Sequence, residues 1–448
     1  MKTEQSGRIN SEKLIPEYFR LSVPVVLGSI VTIVYNLADT YFIAQTGNAL
    51  LVAGVSVCAP VFMILMAFGN IFGQGGSSLI SRLLGQGKEK DAGHVSAFCF
   101  WIALLTGLVI GAAALLMRDS FLAMLGASED TMNYAREYGT VLLIGAPLIV
   151  VNFIHMNLLR CVGMPGLSMV GTLIGAVVNI ILDPLLIPGM GARGAAVATV
   201  AGYFCSDLFL LIIVLRRGAP LSVRPTVKTT GLFLKSILSI GITAAITNIA
   251  SSVCTMLINQ QLGVFGDDRI AAMGIVMKVT MIVQMILVGF SFGGIPLYGF
   301  LAGAGEHGKI RQLFRFCLIF VSAVSLTMTA GVMLASPLLL GLITPDGHLV
   351  SIGTEMLQWQ AAGSLFAGIV MLTTCLCQAS GRAAPALALS LSRQGVIFVI
   401  VLMICSTAFG YDGVIRSQLV SDVLSALLAA GILRFAIFSR GTDSSPSV

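Results

Sequence analysis

Charged residues are scarce in this chain. Asp, Glu, Lys and Arg make up 10% of its 448 residues and hydrophobic residues 56%, whereas an average soluble domain has about 25% charged residues. So few polar side chains cannot cover the surface of a water-soluble globule. The composition excludes a soluble fold and indicates a chain that is solvated mainly by lipid, with apolar spans of about 20 residues.

Patterns typical of enzymes and metal proteins are also missing. The nine cysteines form no C-x-x-C pair and have no histidine at metal-ligand spacing, so they are expected to be buried, unreactive thiols. The apolar segments contain no pair of histidines, no G-x-S-x-G and no carboxylate triad. The sequence therefore argues against a membrane-embedded enzyme, and no cofactor is expected apart from a coupling H⁺ or Na⁺.

Apolar runs that are long enough to cross a bilayer recur along the whole chain. They lie at 17–44, 50–80, 92–117, 133–158, 167–188, 194–215, 233–262, 270–300, 312–337, 352–378, 385–408 and 414–438. This pattern predicts an all-α integral membrane protein with twelve transmembrane helices. Glycine, at 49 residues, suits the close packing and bending of helices in lipid.

Lysine and arginine are distributed unevenly between the two ends of these spans. Of the 26 such residues, 20 lie near one set of alternate ends. The opposite ends have only Arg118, Arg136, Arg193 and Arg269. Because positive residues favour the cytoplasmic side, the chain is predicted to be a multi-pass protein of the cytoplasmic (inner) membrane with both termini cytoplasmic. The same asymmetry accounts for the net charge of +6 without a nucleic-acid partner.

The two halves of the sequence resemble each other at an offset of about 218 residues. The segment "GGSSLISRLLGQG" from Gly75 aligns with "GGIPLYGFLAGAG" from Gly293, and "GARGAAVATV" from Gly191 aligns with "GYDGVIRSQL" from Gly410. Each half holds six spans, an even number, so both halves enter the membrane from the same side. Parallel repeats of this kind occur in secondary transporters, where the binding site lies near the midplane.

The duplication predicts two pseudo-symmetric six-helix bundles joined by a short basic linker. The predicted divisions are a cytoplasmic segment 1–16, an N-terminal lobe 17–217, a cytoplasmic linker 218–231, a C-terminal lobe 232–440 and a cytoplasmic tail 441–448.

Two carboxylates stand deep within predicted spans. An ionised acid at the middle of a transmembrane helix costs about 2.5–3.5 kcal/mol even on lenient insertion scales, so each needs a reason to be there. Asp39 follows Tyr35 by four residues, and Asp183 follows Asn179 by four. Residues four apart share a helix face, so each acid has a polar neighbour on its own face.

Asn152 and Thr199 are expected to complete this polar cluster inside the first bundle. The repeat places Met256, Ile397 and Val401 at the positions of Asp39, Asn179 and Asp183 in the second half. A purely architectural role would be expected in both halves. The cluster is therefore predicted to bind an ion.

The residues allow two kinds of ion at this site. Two carboxylates that share a pocket of low dielectric do not easily both stay charged, so one of them would carry a proton. Alternatively, the oxygens of Asp39, Asp183, Asn179 and Thr199 would bind a sodium ion. The sequence does not choose between the proton and sodium.

Several other polar residues fall within spans. A possible substrate cavity is assigned Asn36, His155, Lys278 and Gln284. Helix packing is the alternative for His155, and a structural ion pair or snorkelling to the interface is the alternative for Lys278. Arg416 with Asp422, and Asp207, are expected to form packing or interfacial pairs.

Three segments together resemble the multidrug and toxic compound extrusion (MATE) family of secondary transporters, in its prokaryotic form. They are "PVVLGSIVTIVYNLADTYFIAQTG" from Pro24, "GMPGLSMVGTLIGAVVNIILDPLLIPGMGARGAAVATV" from Gly163 and "CQASGRAAPALALSLSRQG" from Cys377. The resemblance implies a cation site in the N-terminal lobe that matches this sequence at Tyr35, Asp39, Asn152, Asn179, Asp183 and Thr199. It also implies bending of the first helix at the proline that corresponds to Pro24.

One feature departs from part of that family. Some members have an acid in the seventh and tenth helices, whereas spans seven and ten here show none in mid-membrane. The pattern is closer to branches whose coupling acids lie only in the first lobe.

The resemblance implies an antiporter that exports organic, cationic and amphipathic compounds in exchange for H⁺ or Na⁺ by alternating access. Its expected partners are small molecules and membrane lipid, and the protein is expected to be a monomer. The rival hypothesis is a flippase for lipid-linked oligosaccharides or other lipids from the same superfamily. A flippase would need a strongly cationic cavity, but the cations within spans are few, chiefly Lys278 and Arg416.

Overall fold

The computed structural model describes residues 9–216, 220–224 and 230–434, and of residues 230–232 only the backbone. Within these ranges every regular element is helical. The helices are α1 (Leu14–Ala44), α2 (Ala49–Val57), α3 (Ala59–Gly85), α4 (Glu89–Leu116), α5 (Arg118–Met124), α6 (Glu129–Ile144), α7 (Ala146–Cys161), α8 (Pro165–Arg216), α9 (Thr230–Gly263), α10 (Asp267–Phe292), α11 (Ile295–Gly303), α12 (His307–Gly341), α13 (Gly347–Ala379), α14 (Ala383–Arg393) and α15 (Val396–Ile432).

The helix lengths match a bundle that spans a membrane. In the described part of the chain, nine helical segments are long and apolar enough to cross a bilayer, or ten if α6 and α7, which meet at 54°, count as one bent span. Two of these segments, α8 and Ala383–Ile432, contain 52 and 50 residues. At about 1.5 Å per residue each is more than twice the hydrocarbon thickness of about 30 Å, so each holds two spans. The predicted all-helical membrane fold of twelve spans is confirmed.

Both long segments reverse direction at a glycine. Gly191 has φ 57° and ψ −133°, and Gly410 has φ 58° and ψ −131°, a conformation that side chains with a Cβ strongly disfavour. After the reversal in α8 the two halves run side by side, since a Cβ on Gly175 would lie 3.1 Å from the Gly202 carbonyl oxygen. The sequence repeat aligns Gly191 with Gly410, so the two halves of the chain share this turn.

The chain forms two compact units. The first contains residues 9–10 and Val23–Ala245, and the second contains Ser11–Ser22 and the chain from Ile246 onward. Each unit therefore includes the first turns of the helix that opens the other half, α9 in the first unit and α1 in the second. Part of the predicted linker 218–231 lies outside the described residues. Residues 1–8 of the predicted N-terminal segment and the whole tail 441–448 also lie outside them.

Glycines allow these helix beginnings to lie close to their neighbours. In the first unit, a Cβ on Gly241 of α9 would collide with the Ile71 carbonyl oxygen of α3, and one on Gly75 would collide with the Ile237 carbonyl oxygen. The helices pack backbone to backbone there, as small residues allow in membranes.

The same arrangement recurs in the second unit. A Cβ on Gly293 would lie 2.6 Å from Ser22 Cα, and the Tyr18 hydroxyl donates to the Phe290 carbonyl oxygen at 2.8 Å. Gly293 is the residue that the sequence repeat aligns with Gly75. The beginnings of α1 and α9 therefore pack on equivalent helices, α10 and α3.

Candidate functional site

The reversal at Gly191 brings polar residues from the two halves of α8 together. Asn179 and Asp183 lie on the first half and Thr199 on the second, with 1%, 0% and 4% of their surfaces exposed. The Asn179 amide nitrogen is 3.4 Å from Asp183 Oδ1 and 3.5 Å from Thr199 Oγ1. Turned by 180°, the amide donates to Asp183 Oδ2 at 3.0 Å and accepts from the Thr199 N–H at 3.2 Å, which satisfies both amide atoms. In either orientation Asn179 links the acid to Thr199.

Helix α1 contributes the second acid and a tyrosine to the same cluster. Asp39 interacts electrostatically with Asp183, and its Oδ1 is buried without a hydrogen-bond partner. Tyr35 interacts electrostatically with both acids. The structure thus brings together five of the six residues that the sequence singled out, all in the first unit.

Tyr138 on α6 is a member of the cluster that sequence reasoning missed. It interacts electrostatically with Asp39 and Tyr35. A tyrosine in a polar stretch of a predicted span gives no pattern of its own, because its partners lie on other helices. We refer to Tyr35, Asp39, Tyr138, Asn179, Asp183 and Thr199 as the acidic cluster.

Asn152, the sixth predicted residue, makes other bonds. Its amide nitrogen on α7 donates to Ser206 Oγ at 2.9 Å and to Asp207 Oδ1 at 3.0 Å. These two partners lie two turns beyond Thr199 on α8. Asn152 therefore joins Asp207, which the sequence assigned to packing, and no hydrogen bond connects it to Asp39 or Asp183 within the described residues.

Pro24 lies inside α1, which runs without a break from Leu14 to Ala44. Proline has no N–H, so it removes one bond of the helix and favours bending at that point. The division between the two compact units falls between Ser22 and Val23, next to this proline. Bending of α1 at Pro24 stays a prediction.

The four residues assigned to a substrate cavity differ in their surroundings. Asn36 and Lys278 are exposed. His155 is 2% exposed, its ring lies 5.4 Å from the Phe100 ring, and both of its nitrogens are buried without a hydrogen-bond partner. Gln284 accepts a hydrogen bond from Arg393 Nη2 at 3.1 Å.

The predicted pairing of Arg416 with Asp422 is wrong. Arg416 lies 3.5 Å from Asp412, four residues before it on α15, and its guanidinium stacks on Trp359 at 4.8 Å. Asp422 instead accepts from Arg393 Nε at 2.9 Å. Residues 416 and 422 are six apart, which places them on different faces of the helix.

The chemistry of the acidic cluster suits a small cation. Carboxylate, amide and hydroxyl oxygens are hard donors of the kind that bind a proton or an alkali ion. Among the described residues no group of three or more His, Cys, Asp or Glu is placed to hold a metal, and the cysteines are free thiols, seven of them buried.

Comparison with known proteins agrees with this architecture. The MatE family model matches residues 24–185 and 243–404, once in each half. The chain is 30% identical to Multidrug export protein MepA of Staphylococcus haemolyticus (strain JCSC1435) over 438 residues, which is 97% of this chain and 96% of that one. It is 29% identical to MepA of Staphylococcus saprophyticus over 434 residues, 96% of this chain and 95% of that one.

Solved structures share the fold over almost the whole chain. A MATE protein in a bent conformation superposes with a TM-score of 0.89 at 25% identity and covers 98% of both chains. The same type of protein in a straight conformation gives 0.88 at 25% identity, with 98% of this chain and 99% of that one covered. Because the family model matches most of the sequence and does so in both repeats, the chain belongs to the MatE family.

Proposed function

We propose that this protein is a secondary antiporter that exports organic compounds, chiefly amphipathic cations, in exchange for H⁺ or Na⁺. The observation that carries the proposal is the placement of the half-buried Asp39 and the fully buried Asp183 in one polar cluster of the first unit. The relatives named as multidrug export proteins support the choice of substrate class. In keeping with the distribution of basic residues, we place both termini in the cytoplasm, and we propose that the protein acts as a monomer.

Coupling would depend on how an ion changes the charge of the acidic cluster. Two carboxylates that lie close together in a nonpolar surrounding repel each other and favour binding of one cation. A proton or sodium ion removes this repulsion and alters which packing of α1 against α8 is most stable. The ion drives transport only to the extent that it binds the two states of the protein with different affinity. Bending of α1 at Pro24 is the movement that would connect the cluster with the change of state.

The charge of the substrate sets the driving force. When a monovalent cation leaves in exchange for one proton, the terms in the membrane potential cancel, and the pH gradient supplies about 1.4 kcal/mol per unit. Export of a neutral compound would add about 2.3 kcal/mol per 100 mV of potential.

Two arginines of the second unit already have acidic partners, which weighs against the flippase alternative. Binding of a pyrophosphate would need uncompensated positive charge. Arg393 is buried in an ion pair with Asp422, with 9% and 2% of the side chains exposed, and Arg416 is paired with Asp412. The relatives likewise favour export by a transporter over an enzyme.

Uptake of ethidium into everted membrane vesicles tests the proposal, because the cytoplasmic face of such vesicles points outward and an exporter moves its substrate into the lumen. Vesicles that contain the parent, Asp39→Asn or Asp183→Asn receive ethidium in the medium as a fluorescent organic cation, and a pH gradient or a sodium gradient, with the ion more concentrated in the lumen, is imposed separately. We expect the parent to move ethidium in response to one gradient and both variants to lose this response, because asparagine keeps the size of the side chain but not its charge.

Asp412→Asn is the matched control, since Asp412 is an exposed acid in the other half of the chain. It should pump as the parent does. Parent-like rates in both Asp39→Asn and Asp183→Asn would contradict the assignment of the coupling site.

A further inference from the structure

Helix α12 begins with positive charge. It has three lysine or arginine residues in its first three turns, Lys309, Arg311 and Arg315, and no acid along its whole length. Lys309 is paired with Glu306 at 2.6 Å. Arg311 and Arg315 are four residues apart, so they lie on a single face of the helix, and both are exposed.

The two arginines line an open groove that continues onto an apolar surface. The groove has a volume of about 500 Å³, and we call its lining residues the basic face of α12: Gly308, Arg311, Gln312, Arg315, Phe316 and Ile319. Ile319 is 64% exposed. It lies about 6 Å beyond Arg315 along the helix axis, since an α-helix rises about 1.5 Å per residue. A charged end followed by an apolar end matches the headgroup and acyl chain of a phospholipid.

The repeat identifies the equivalent face in the first half of the chain, on α4. Helix α4 begins at Glu89 and α12 at His307, which are 218 positions apart. The turns before them contain Gly87 at φ 74° and Gly305 at φ 73°, again 218 positions apart, so the register is secure. At this offset Arg311, Arg315 and Ile319 align with Gly93, Ala97 and Trp101.

Part of the linker covers this face of α4. Trp101 Nε1 donates to the Val223 carbonyl oxygen at 2.9 Å, and Ser96 Oγ donates to the Ser222 carbonyl oxygen at 3.1 Å. A Cβ on Gly93 would lie 3.7 Å from the carbonyl oxygen of Pro220. The backbone of the linker therefore lies directly against α4, where the side chain of Gly93 leaves room for it.

The basic face of α12 does not offer the same room. A guanidinium group at the position of Gly93 would fill the space that the linker takes on α4. The positive charge favours a negatively charged partner instead. Helix α12 begins on the side that we place in the cytoplasm, where anionic lipids make the membrane surface negative.

We propose that the basic face of α12 binds a phospholipid with an anionic headgroup. The headgroup phosphate accepts hydrogen bonds from Arg311 and Arg315, whose planar guanidinium groups suit phosphate oxygens. One acyl chain lies along Phe316 and Ile319. Binding of this lipid does not depend on the proposed antiport.

Phe316 connects the basic face with the beginning of α1. Its ring lies 5.9 Å from the ring of Phe19 and stacks on Phe320 at 6.1 Å. Phe19 belongs to the first turns of α1, which are part of the second unit. A lipid chain that packs on Phe316 therefore supports the contact that holds the beginning of α1 in this unit.

A tryptophan at the apolar end of the basic face would report binding locally. Full-length Ile319→Trp protein in dodecylmaltoside micelles is titrated with phosphatidylglycerol whose acyl chains contain bromine, which quenches tryptophan fluorescence. Brominated phosphatidylcholine is titrated in parallel. Quenching of the protein without this substitution, which has only Trp101 and Trp359, is subtracted. We expect phosphatidylglycerol to quench the introduced tryptophan at lower concentration than phosphatidylcholine.

Removal of one arginine tests the headgroup contact. Arg315→Gln, in the Ile319→Trp protein, should need about fivefold more phosphatidylglycerol for half-maximal quenching, because each basic residue adds to the attraction of anionic lipid. Lys309→Gln is the matched control. It removes one charge from the same part of α12, but Lys309 is paired with Glu306, so quenching should stay as in the Ile319→Trp protein. Thermal unfolding shows that each variant is folded.

Three results would overturn the proposal. Equal quenching of Ile319→Trp protein by the two lipids would mean that the headgroup is not recognised. Equal losses in Arg315→Gln and Lys309→Gln would mean that lipid responds only to the total charge of this end of α12. Absence of quenching by either lipid would mean that another part of the chain covers the face, as the linker covers α4.

Discussion

Arg393 and Asp422 form the best-buried ion pair in the described part of the second unit. The Arg393 guanidinium also donates to Gln284 on α10, and Gln418 donates to Asp422 Oδ1 at 3.1 Å. Every member thus has a partner, as a buried charge requires. The network connects α14 and α15 to α10 through the hydrogen bond between Arg393 and Gln284.

Replacement of one member should destabilise the protein strongly. Asp422→Ala leaves the Arg393 charge buried without its partner, and removal of one side of such a pair costs about 3–5 kcal/mol. We expect a clearly lower thermal unfolding midpoint for the purified variant. Asp412→Ala breaks the exposed pair with Arg416 and should cost about 1 kcal/mol or less. Equal losses for the two variants would contradict the ranking by burial.

The residues of the candidate site could be predicted only in part. Asp39 and Asp183 stand out because an acid in an apolar run is unusual, and their polar neighbours follow from the spacing of four. Asp207 is also an acid in an apolar run, but its partner Asn152 is on another helix, 55 positions away in the sequence. Hydrogen bonds between helices depend on their packing, which sequence spacing does not describe. For this reason Asn152 was expected beside Asp183.

The reversals at Gly191 and Gly410 are the elements that create both hairpins. An alanine at Gly191 would meet no close atom, since the nearest is Leu51 Cδ1 at 3.5 Å. The obstacle is the backbone conformation, with φ 57°, which costs a residue with a Cβ about 1–3 kcal/mol.

Gly191→Ala should therefore lower stability and loosen the contact between Asn179 and Thr199. The measurement is the thermal unfolding midpoint together with ethidium efflux. Gly189→Ala is the matched control two residues earlier, where a Cβ has open space and alanine favours the helix by up to about 1 kcal/mol. A larger loss of stability in Gly189→Ala than in Gly191→Ala would show that the backbone conformation at Gly191 does not disfavour alanine.

The spans themselves were predictable because lipid demands long apolar helices. Their breaks were harder to predict. The span at 133–158 is divided at Gly145 into α6 and α7, which meet at 54°, whereas α13 continues unbroken from Gly347 to Ala379. Pro147 follows the break and lacks the N–H that would continue the helix, and a Cβ on Gly145 would meet Val200 at 2.5 Å. A proline at a helix start and a proline at a bend look alike in sequence.

Each compact unit of the molecule is made from both halves of the chain. The first turns of α1 belong to the second unit, and the first half of α9 belongs to the first. A cut after Arg224 would give two fragments, neither of which contains a whole unit.

We expect the two fragments to be unstable when each is expressed alone and to copurify when they are expressed together. The reason is that Gly75 of one fragment packs on Ile237 of the other, and Gly293 packs on Ser22. A tag on one fragment, followed by size-exclusion chromatography, measures the recovery of the other. A stable, monodisperse single fragment would contradict this expectation.

The close contacts of Gly75 with Ile237 and of Gly293 with Ser22, here called the crossings, bear on the origin of the protein. Each half of the chain lends the beginning of its first helix to the other, at positions that the duplication makes equivalent. Two identical subunits that exchange a terminal segment in this reciprocal way form a domain-swapped dimer with twofold symmetry. The crossings are what an ancestral homodimer would leave behind once fusion of two gene copies had made the exchange permanent.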